Sequence, residues 1–205
     1  MLIIDDNFLT KEEILKYSNF NHKWSMVDGL TDPKEKDYYS FPEFDTESKF
    51  QFVNVVKLFD FEQEKMYKEL CSLVKTFARK NNLDILEITR MKFNLMVNSK
   101  SIKNQVNTPH VDWTKKFVKL DKYGSDAKHF VLLCYINDSD GPTIIYNEKY
   151  PVKDFKDLSI KEKIDPKAGR AIFFEGDQYH SSSFPIEHSK RMVLNINLVG
   201  KINNE

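Results

Sequence analysis

Glycine is scarce in this chain, six in 205 residues, and cysteine is scarcer still, with two. Sixteen phenylalanines and nine tyrosines stand in that glycine-poor background, which argues for aromatic-rich strands and against a disordered chain. No internal repeat is visible, so repeat architectures fall away as well. Net charge is also missing. Thirty-one basic residues balance 31 acidic ones, and bulk charge therefore favours neither nucleic acid nor a membrane surface as partner. No run approaches the ~18 apolar residues needed to span a bilayer. No signal-like apolar stretch follows Met1, and Cys71 and Cys134 fall inside a predicted helix and a predicted strand. They read as buried free thiols in a reducing compartment, the cytoplasm. What these absences leave is one domain of ordinary size over 1–205.

Leu2, Ile3 and Ile4 ahead of Asp5 and Asp6 predict a short strand, and Thr10 with Glu13 three residues on is a capping-box signature for a helix through about Asn19. Residues 20–59 mix Trp24, Tyr38, Tyr39, Phe41 and Phe44 with Asp-Pro and Phe-Pro breaks, a pattern of ordered loops and short strands able to cover a pocket. The clearest helix is expected from Asp60 to Asn81-Asn82. Met66, Leu70, Leu73, Val74 and Phe77 make one apolar stripe on it, while Lys65, Lys68, Glu69, Lys75 and Arg79 keep the other side wet.

From Leu86 the period changes to two. Strands are expected at roughly 86–97, 108–113, 129–136, 142–147, 170–175, 179–184 and 190–199, which divides the domain into N-terminal helical and loop support, 1–85, and a mainly β core, 86–200. In the last strand Met192, Leu194, Ile196 and Leu198 form an apolar face, whereas Arg191, Val193, Asn195 and Asn197 form a mixed one. The strand Arg90 to Val97 splits in the same way, with Arg90, Lys92 and Asn94 opposite Met91, Phe93, Leu95 and Val97. Two strands thus offer polar side chains to an interior.

Chemistry is concentrated in four residues. His110 and Asp112, two apart on a strand, point to the same face, and His180 from a distant strand completes a 2-His-1-carboxylate set. Such a set suits non-haem Fe(II), because three ligands on one side of an octahedral ion leave adjacent positions for a bidentate 2-oxoacid and O₂. Arg191 opens the next strand, and its forked guanidinium is the natural grip for the far carboxylate of 2-oxoglutarate. The competing histidines fit less well. His188 lies three residues before Arg191, too close to share a cavity with it, and His129 and His22 are expected at the surface. Arg170 is a second candidate for that carboxylate.

From Leu86 to Val199 the chain resembles the Fe(II)/2-oxoglutarate-dependent oxygenases. The run Pro166-Lys167-Ala168-Gly169-Arg170-Ala171-Ile172-Phe173-Phe174, then His180, then Lys190-Arg191-Met192-Val193-Leu194-Asn195 looks like the prolyl-4-hydroxylase-type branch, and Ile3-Ile4-Asp5-Asp6-Asn7-Phe8-Leu9 is similar to that branch's entry. The resemblance implies a double-stranded β-helix, a cupin-like jelly-roll with flanking helices. It implies iron ligation by His110, Asp112 and His180, and 2-oxoglutarate binding by Arg191 with Tyr135. Asn94 and Asn195, facing the interior, are candidate cosubstrate contacts, Phe174 a pocket-lining residue and Trp113 a rim residue.

The activity implied is a dioxygenase that uses Fe(II), 2-oxoglutarate and O₂, with ascorbate as reductant. It hydroxylates a C–H bond of a small-molecule or peptide substrate, a prolyl residue or proline-like ring in the first instance, and releases succinate and CO₂. The alternative is a cupin-type metal binder or a degenerate member that does not use 2-oxoglutarate, against which Arg191 argues. Peptidyl and small-molecule hydroxylases differ in their loops, here 20–59, 98–109 and 114–128. Lys115, Lys116, Lys119, Lys122 and Lys128 in the last of these read as a solvated basic loop, with a mouth that prefers an acidic substrate as the alternative.

Overall fold

A computed structural model describes residues 1–28, 50–58, 61–98, 105–112 and 120–203. The elements run β1 (Leu2–Asp5), α1 (Lys11–Asn19), β2 (Ser25–Asp28), β3 (Phe50–Leu58), β4 (Phe61–Glu62), α2 (Glu64–Lys80), β5 (Leu83–Val97), β6 (Lys128–Tyr135), β7 (Thr143–Lys149), β8 (Ile160–Ile164), β9 (Ala171–Glu175), β10 (Gln178–Ser182) and β11 (Lys190–Ile202). They form two sheets. The larger has the order β1-β9-β6-β11-β5-β3-β2, with β4 beside β3; the smaller is β10-β7-β8. Bridges Val106–Ser183 and His110–His180 lay the 106–112 segment along the free side of β10. Every pairing is antiparallel, and the whole is a jelly-roll.

The α2 stripe forms as its spacing predicts: Met66, Leu70, Leu73, Val74 and Phe77 are all buried. They pack on the outer face of the large sheet against Phe93, Phe130, Leu132, Phe173, Leu194 and Ile196, with Phe77 5.1 Å from Phe173, centroid to centroid. The helix begins at Glu64, later than expected; Asp60 lies outside the described residues. Asn81 closes it by donating its backbone N–H to Phe77 and Ala78 carbonyls, and Asn82 takes the left-handed conformation, φ 52°, which asparagine tolerates. The Thr10–Glu13 capping box is present as expected.

The opposite face of the large sheet looks inward at the small one. Val131, Leu133, Tyr135, Ile172, Phe174 and Val193 meet Ile145 and Ile164 there. Because side chains alternate, burying one face of β5 and β11 against α2 turns Arg90, Lys92, Asn94, Arg191, Asn195 and Asn197 toward this interior.

Three expectations are corrected. The 108–113 strand is reduced, among its described residues, to the single bridge from His110 to His180, with a second bridge from Val106 to Ser183 just before it. β8 falls where no strand was expected, and β3 crosses the end of 20–59 as a nine-residue strand in the large sheet. The other strands shift by one to three residues at their ends. Cys134 is fully buried and Cys71 partly so; both are free. No described helix is long and apolar enough to cross a membrane.

Candidate active site

His110 and His180 face each other across the bridge between 106–112 and β10. Each donates its backbone N–H to the other's carbonyl at 2.9 Å, a hydrogen-bonded antiparallel pair, which puts both side chains on one face directly opposite each other. Their ring centroids are 4.4 Å apart. Local backbone then sets the tautomers. His110 Nδ1 donates to the Thr108 carbonyl at 3.0 Å and His180 Nδ1 to the Gln178 carbonyl at 3.1 Å. A carbonyl only accepts, so each Nδ1 carries the proton and each Nε2 keeps its lone pair.

Asp112 follows on the same face, and its carboxylate is held from the large sheet. Oδ2 accepts from Asn195 Nδ2 and Asn197 Nδ2, both at 3.0 Å, and Oδ1 lies 2.9 Å from Arg90 Nη2. The donor atoms of His110, Asp112 and His180 all lie within 4.8 Å of one another. Their protonation states suit a cation. Burial pushes the Asp112 carboxyl up, but Arg90, His180, His110 and Lys92 together hold it well below the usual carboxylate range. Burial, then its partner histidine, pushes His110 down to about 4, and burial pushes His180 down as well. Two neutral imidazoles with free Nε2 atoms and one carboxylate are the state a divalent metal requires. The residues present therefore fit such an ion, and the backbone carbonyls of Thr108 and Gln178 and the amides of Asn195 and Asn197 supply the groups that orient its ligands.

Arg191 sits farther along β11, only 2% exposed. Nε donates to the Gly141 carbonyl at 2.8 Å and Nη2 to Thr143 Oγ1 at 2.7 Å, and the guanidinium stands 5.7 Å from the Tyr135 ring centroid. Tyr135 Oη donates to the same Thr143 Oγ1 at 2.6 Å. Among the described residues no carboxylate pairs with Arg191. A buried guanidinium held by neutral groups alone is costly unless an anion joins it, so this end of the interior suits a carboxylate.

Of the expected residues, His110, Asp112 and His180 come together, and Arg191 and Tyr135 meet at Thr143. Asn195 faces the interior, but its amide reaches Asp112. Asn94 faces the interior too, and its Oδ1 is buried without a partner. Phe174 packs its ring 4.9 Å from that of His180. Arg170 is elsewhere, paired through Nε with Asp6 Oδ1 at 2.6 Å, and His188 is paired with Asp140. The surface expectation for His129 and His22 is corrected. His129 is 4% exposed on β6, with burial pushing its imidazole down to about 4, because the strand starts at Lys128 and Gly176 packs against the ring. His22 is partly buried in an aromatic cluster with Phe20, Trp24 and Phe93. Lys122 and Lys128 pair with Glu87 and Glu175. Trp113, Lys115, Lys116 and Lys119 lie outside the described residues.

Arg90, Lys92, Asn197 and Thr143 had no expected role. The first three share the inward parity of Asn94 and Asn195, and that parity was the available signal.

No family model matches the chain, and no curated protein matches it in sequence. Solved structures do. An oxidoreductase of the 2OG-Fe(II) oxygenase family from Burkholderia pseudomallei superposes over 99% of this chain and 86% of its own, with a TM-score of 0.61 at 11% identity. The fold is that of the 2OG-Fe(II) oxygenases. Two further structures with this fold are similar. One is a prolyl hydroxylase from Trichoplax adhaerens in complex with a hypoxia inducible factor oxygen degradation domain peptide fragment, at TM-score 0.56 and 15% identity over 96% of this chain and 82% of that one. The other is the epimerase SnoN in complex with Fe3+, alpha ketoglutarate and nogalamycin RO, at TM-score 0.57 and 9% identity over 98% and 78%. At these identities the 2OG-Fe(II) oxygenase fold is what is shared.

Proposed function

We propose that this chain is an Fe(II)- and 2-oxoglutarate-dependent dioxygenase that hydroxylates a C–H bond of a small-molecule or peptide substrate, with a prolyl residue or proline-like ring as the first candidate. The observation that carries the proposal is the convergence of His110, Asp112 and His180 within 4.8 Å in the same interior as a buried Arg191 that has no carboxylate partner among the described residues. The metal set alone would also suit a cupin that does without a 2-oxoacid; the buried guanidinium favours 2-oxoglutarate.

In this proposal His110 and His180 present Nε2 and Asp112 its carboxylate to Fe(II). Arg191 grips the far carboxylate of 2-oxoglutarate, with Thr143 and Tyr135 fixing the guanidinium. Iron held by these three residues would supply the redox chemistry that couples oxidative decarboxylation of 2-oxoglutarate with O₂, giving succinate and CO₂, to oxidation of the substrate. Asn195, Asn197 and Arg90 keep the carboxylate aimed, and Phe174 shields one side of His180 from water.

The test is succinate release with Fe(II), ascorbate and 2-oxoglutarate against free proline, other amino acids and proline-containing peptides, preceded by calorimetric titration of metal and 2-oxoglutarate. One metal per chain, metal-dependent 2-oxoglutarate binding and substrate-stimulated succinate are expected. A chain that binds metal but not 2-oxoglutarate would return the cupin-type alternative. A screen in which only non-proline compounds stimulate succinate would keep the oxygenase and remove the proline preference.

A further inference from the structure

The inward wall beside the site carries more positive charge than its chemistry consumes. Arg90, Lys92 and Arg191 face this interior together with a single described carboxylate, Asp112. Arg90 is matched to Asp112 Oδ1 at 2.9 Å. On the proposed function, Arg191 is matched to the far carboxylate of 2-oxoglutarate, and the near carboxylate of the same molecule is matched to the metal. Lys92 is then left over. It stands on β5 opposite Asn195, whose amide touches Asp112, yet its ammonium makes no hydrogen bond and no ion pair among the described residues.

Two residues along the same face, Asn94 has a buried Oδ1 that meets no donor among the described residues. An orphaned buried acceptor calls for a donor, such as a substrate amine, beside the anion that Lys92 would hold. Burial pushes the Lys92 ammonium down to about 8, so it stays a cation at neutral pH, and an anion beside it would offset the cost of burying that charge. Methionine or leucine would fill this strand position at less cost if packing were its task.

We propose that Lys92, with Asn94, forms an anion subsite for the oxidised substrate, and that this substrate carries a carboxylate near the carbon that reacts. The lysine ammonium supplies the charge, and Asn94 Oδ1 accepts from a donor on the same molecule. This rests on the proposed oxygenase function, since the pairing of 2-oxoglutarate with metal and Arg191 is what leaves Lys92 free. The substrates in view are therefore small carboxylic acids, amino acids included, and a neutral internal peptide segment is disfavoured.

The test is binding without turnover. Protein loaded with Mn(II) and 2-oxoglutarate under nitrogen is titrated in a calorimeter with a panel of amino acids and short monocarboxylic acids, each beside its own carboxamide. At least one acid should bind about 10-fold to 100-fold more tightly than its amide. Lys92→Met should erase that preference and Lys92→Arg should retain part of it. Both variants should bind Mn(II) and 2-oxoglutarate within about threefold of the parent and keep its thermal transition, which separates a lost subsite from a lost fold. Amides that bind as tightly as their acids throughout the panel, or an acid preference that survives in Lys92→Met, would overturn the proposal. So would a Lys92→Met variant that keeps Mn(II) but loses 2-oxoglutarate, because Lys92 would then serve the cosubstrate. If the parent itself fails to bind Mn(II) or 2-oxoglutarate, the oxygenase function falls and takes the subsite with it.

Discussion

Replacing Arg191 by methionine removes the guanidinium while keeping much of its apolar stem, so the change isolates the charge. In the folded chain this guanidinium donates to the Gly141 carbonyl and to Thr143 Oγ1, and both are neutral acceptors. Losing two such bonds costs about 1 kcal/mol each, but removing a buried cation without an anion offsets part of that. The metal-free variant should therefore unfold within about 2 kcal/mol of the parent.

The cosubstrate should respond far more. A charge-assisted, two-pronged pair in a buried setting is worth about 2–4 kcal/mol, which is roughly 30-fold to 1,000-fold in the 2-oxoglutarate dissociation constant. The assay is calorimetry under nitrogen with Mn(II) in place of iron, paired with thermal unfolding. At a 2-oxoglutarate concentration about 100 times the parental dissociation constant, the ligand stabilises the parent by about 2.7 kcal/mol; a 100-fold weaker variant keeps only about 0.4. Arg191→Lys should recover part of the affinity, since the charge survives and the fork does not. Arg170→Met is the control, because Arg170 is committed to Asp6 outside the interior. Retention of parental 2-oxoglutarate affinity in Arg191→Met, or a larger loss in Arg170→Met, would refute the assignment of the carboxylate grip.

Substituting His110, Asp112 or His180 by alanine should each abolish stoichiometric Fe(II) or Mn(II) binding; full metal occupancy in His180→Ala would remove the three-residue set. Asn197→Ala and Asn195→Ala should each weaken metal binding about 10-fold to 100-fold by freeing Asp112 Oδ2. Parental affinity in both would mean that Arg90 alone orients the carboxylate. Acid should destabilise the metal-free fold through His129, which burial holds neutral down to about 4 against 6.5 for the free side chain. The unfolded chain takes up this proton at about 6.5 and the folded one only near 4, so stability falls as pH drops through that window, by up to about 3 kcal/mol. His129→Gln should flatten the slope of denaturant-derived stability between pH 7 and pH 4.5, and an unchanged slope would place the acid sensitivity in His110 and His180.

How much was legible in the sequence depended on whether a segment's neighbours lie nearby in the chain. The α2 stripe and the Thr10 capping box are local, and both appear as expected. The catalytic spacing was legible for the same reason, since two residues apart on an extended segment is a local property. β3 was hidden because its buried positions include the polar Gln51 and Asn54 and its register shifts between Val55 and Lys57, so Phe50–Leu58 shows no sustained apolar face. β8 was hidden for the opposite reason. Ile160-Lys161-Glu162-Lys163-Ile164 is an edge strand with four of its five residues exposed, and charged edges are how sheets protect themselves from further pairing. The partners of Asp112 needed more still. Asn195, Asn197 and Arg90 meet there only through the register of β11 on β5, strands of 13 and 15 residues separated by almost the whole jelly-roll.

The distribution of roles between the sheets explains why so few positions specify the site. All three donors belong to the small sheet, His110 and Asp112 on the 106–112 segment and His180 on β10. The groups that aim Asp112, namely Arg90, Asn195 and Asn197, belong to the large sheet, as does Arg191. The site is complete only when the sheets close on each other, and what holds them closed is the inward cluster of Val131, Leu133, Tyr135, Ile172, Phe174 and Val193 against Ile145 and Ile164. Those contacts demand apolar volume and tolerate exchange of one hydrophobe for another. The fold can therefore match solved structures at 9–15% identity while no sequence family model matches. Inward polar positions are different, because each buried polar group needs a specific partner. Arg191 and the donor set answer to the chemistry proposed for the site. Lys92, which forms no ion pair among the described residues, and the orphaned Oδ1 of Asn94 are left over, and the identity of the substrate is therefore to be sought at that wall.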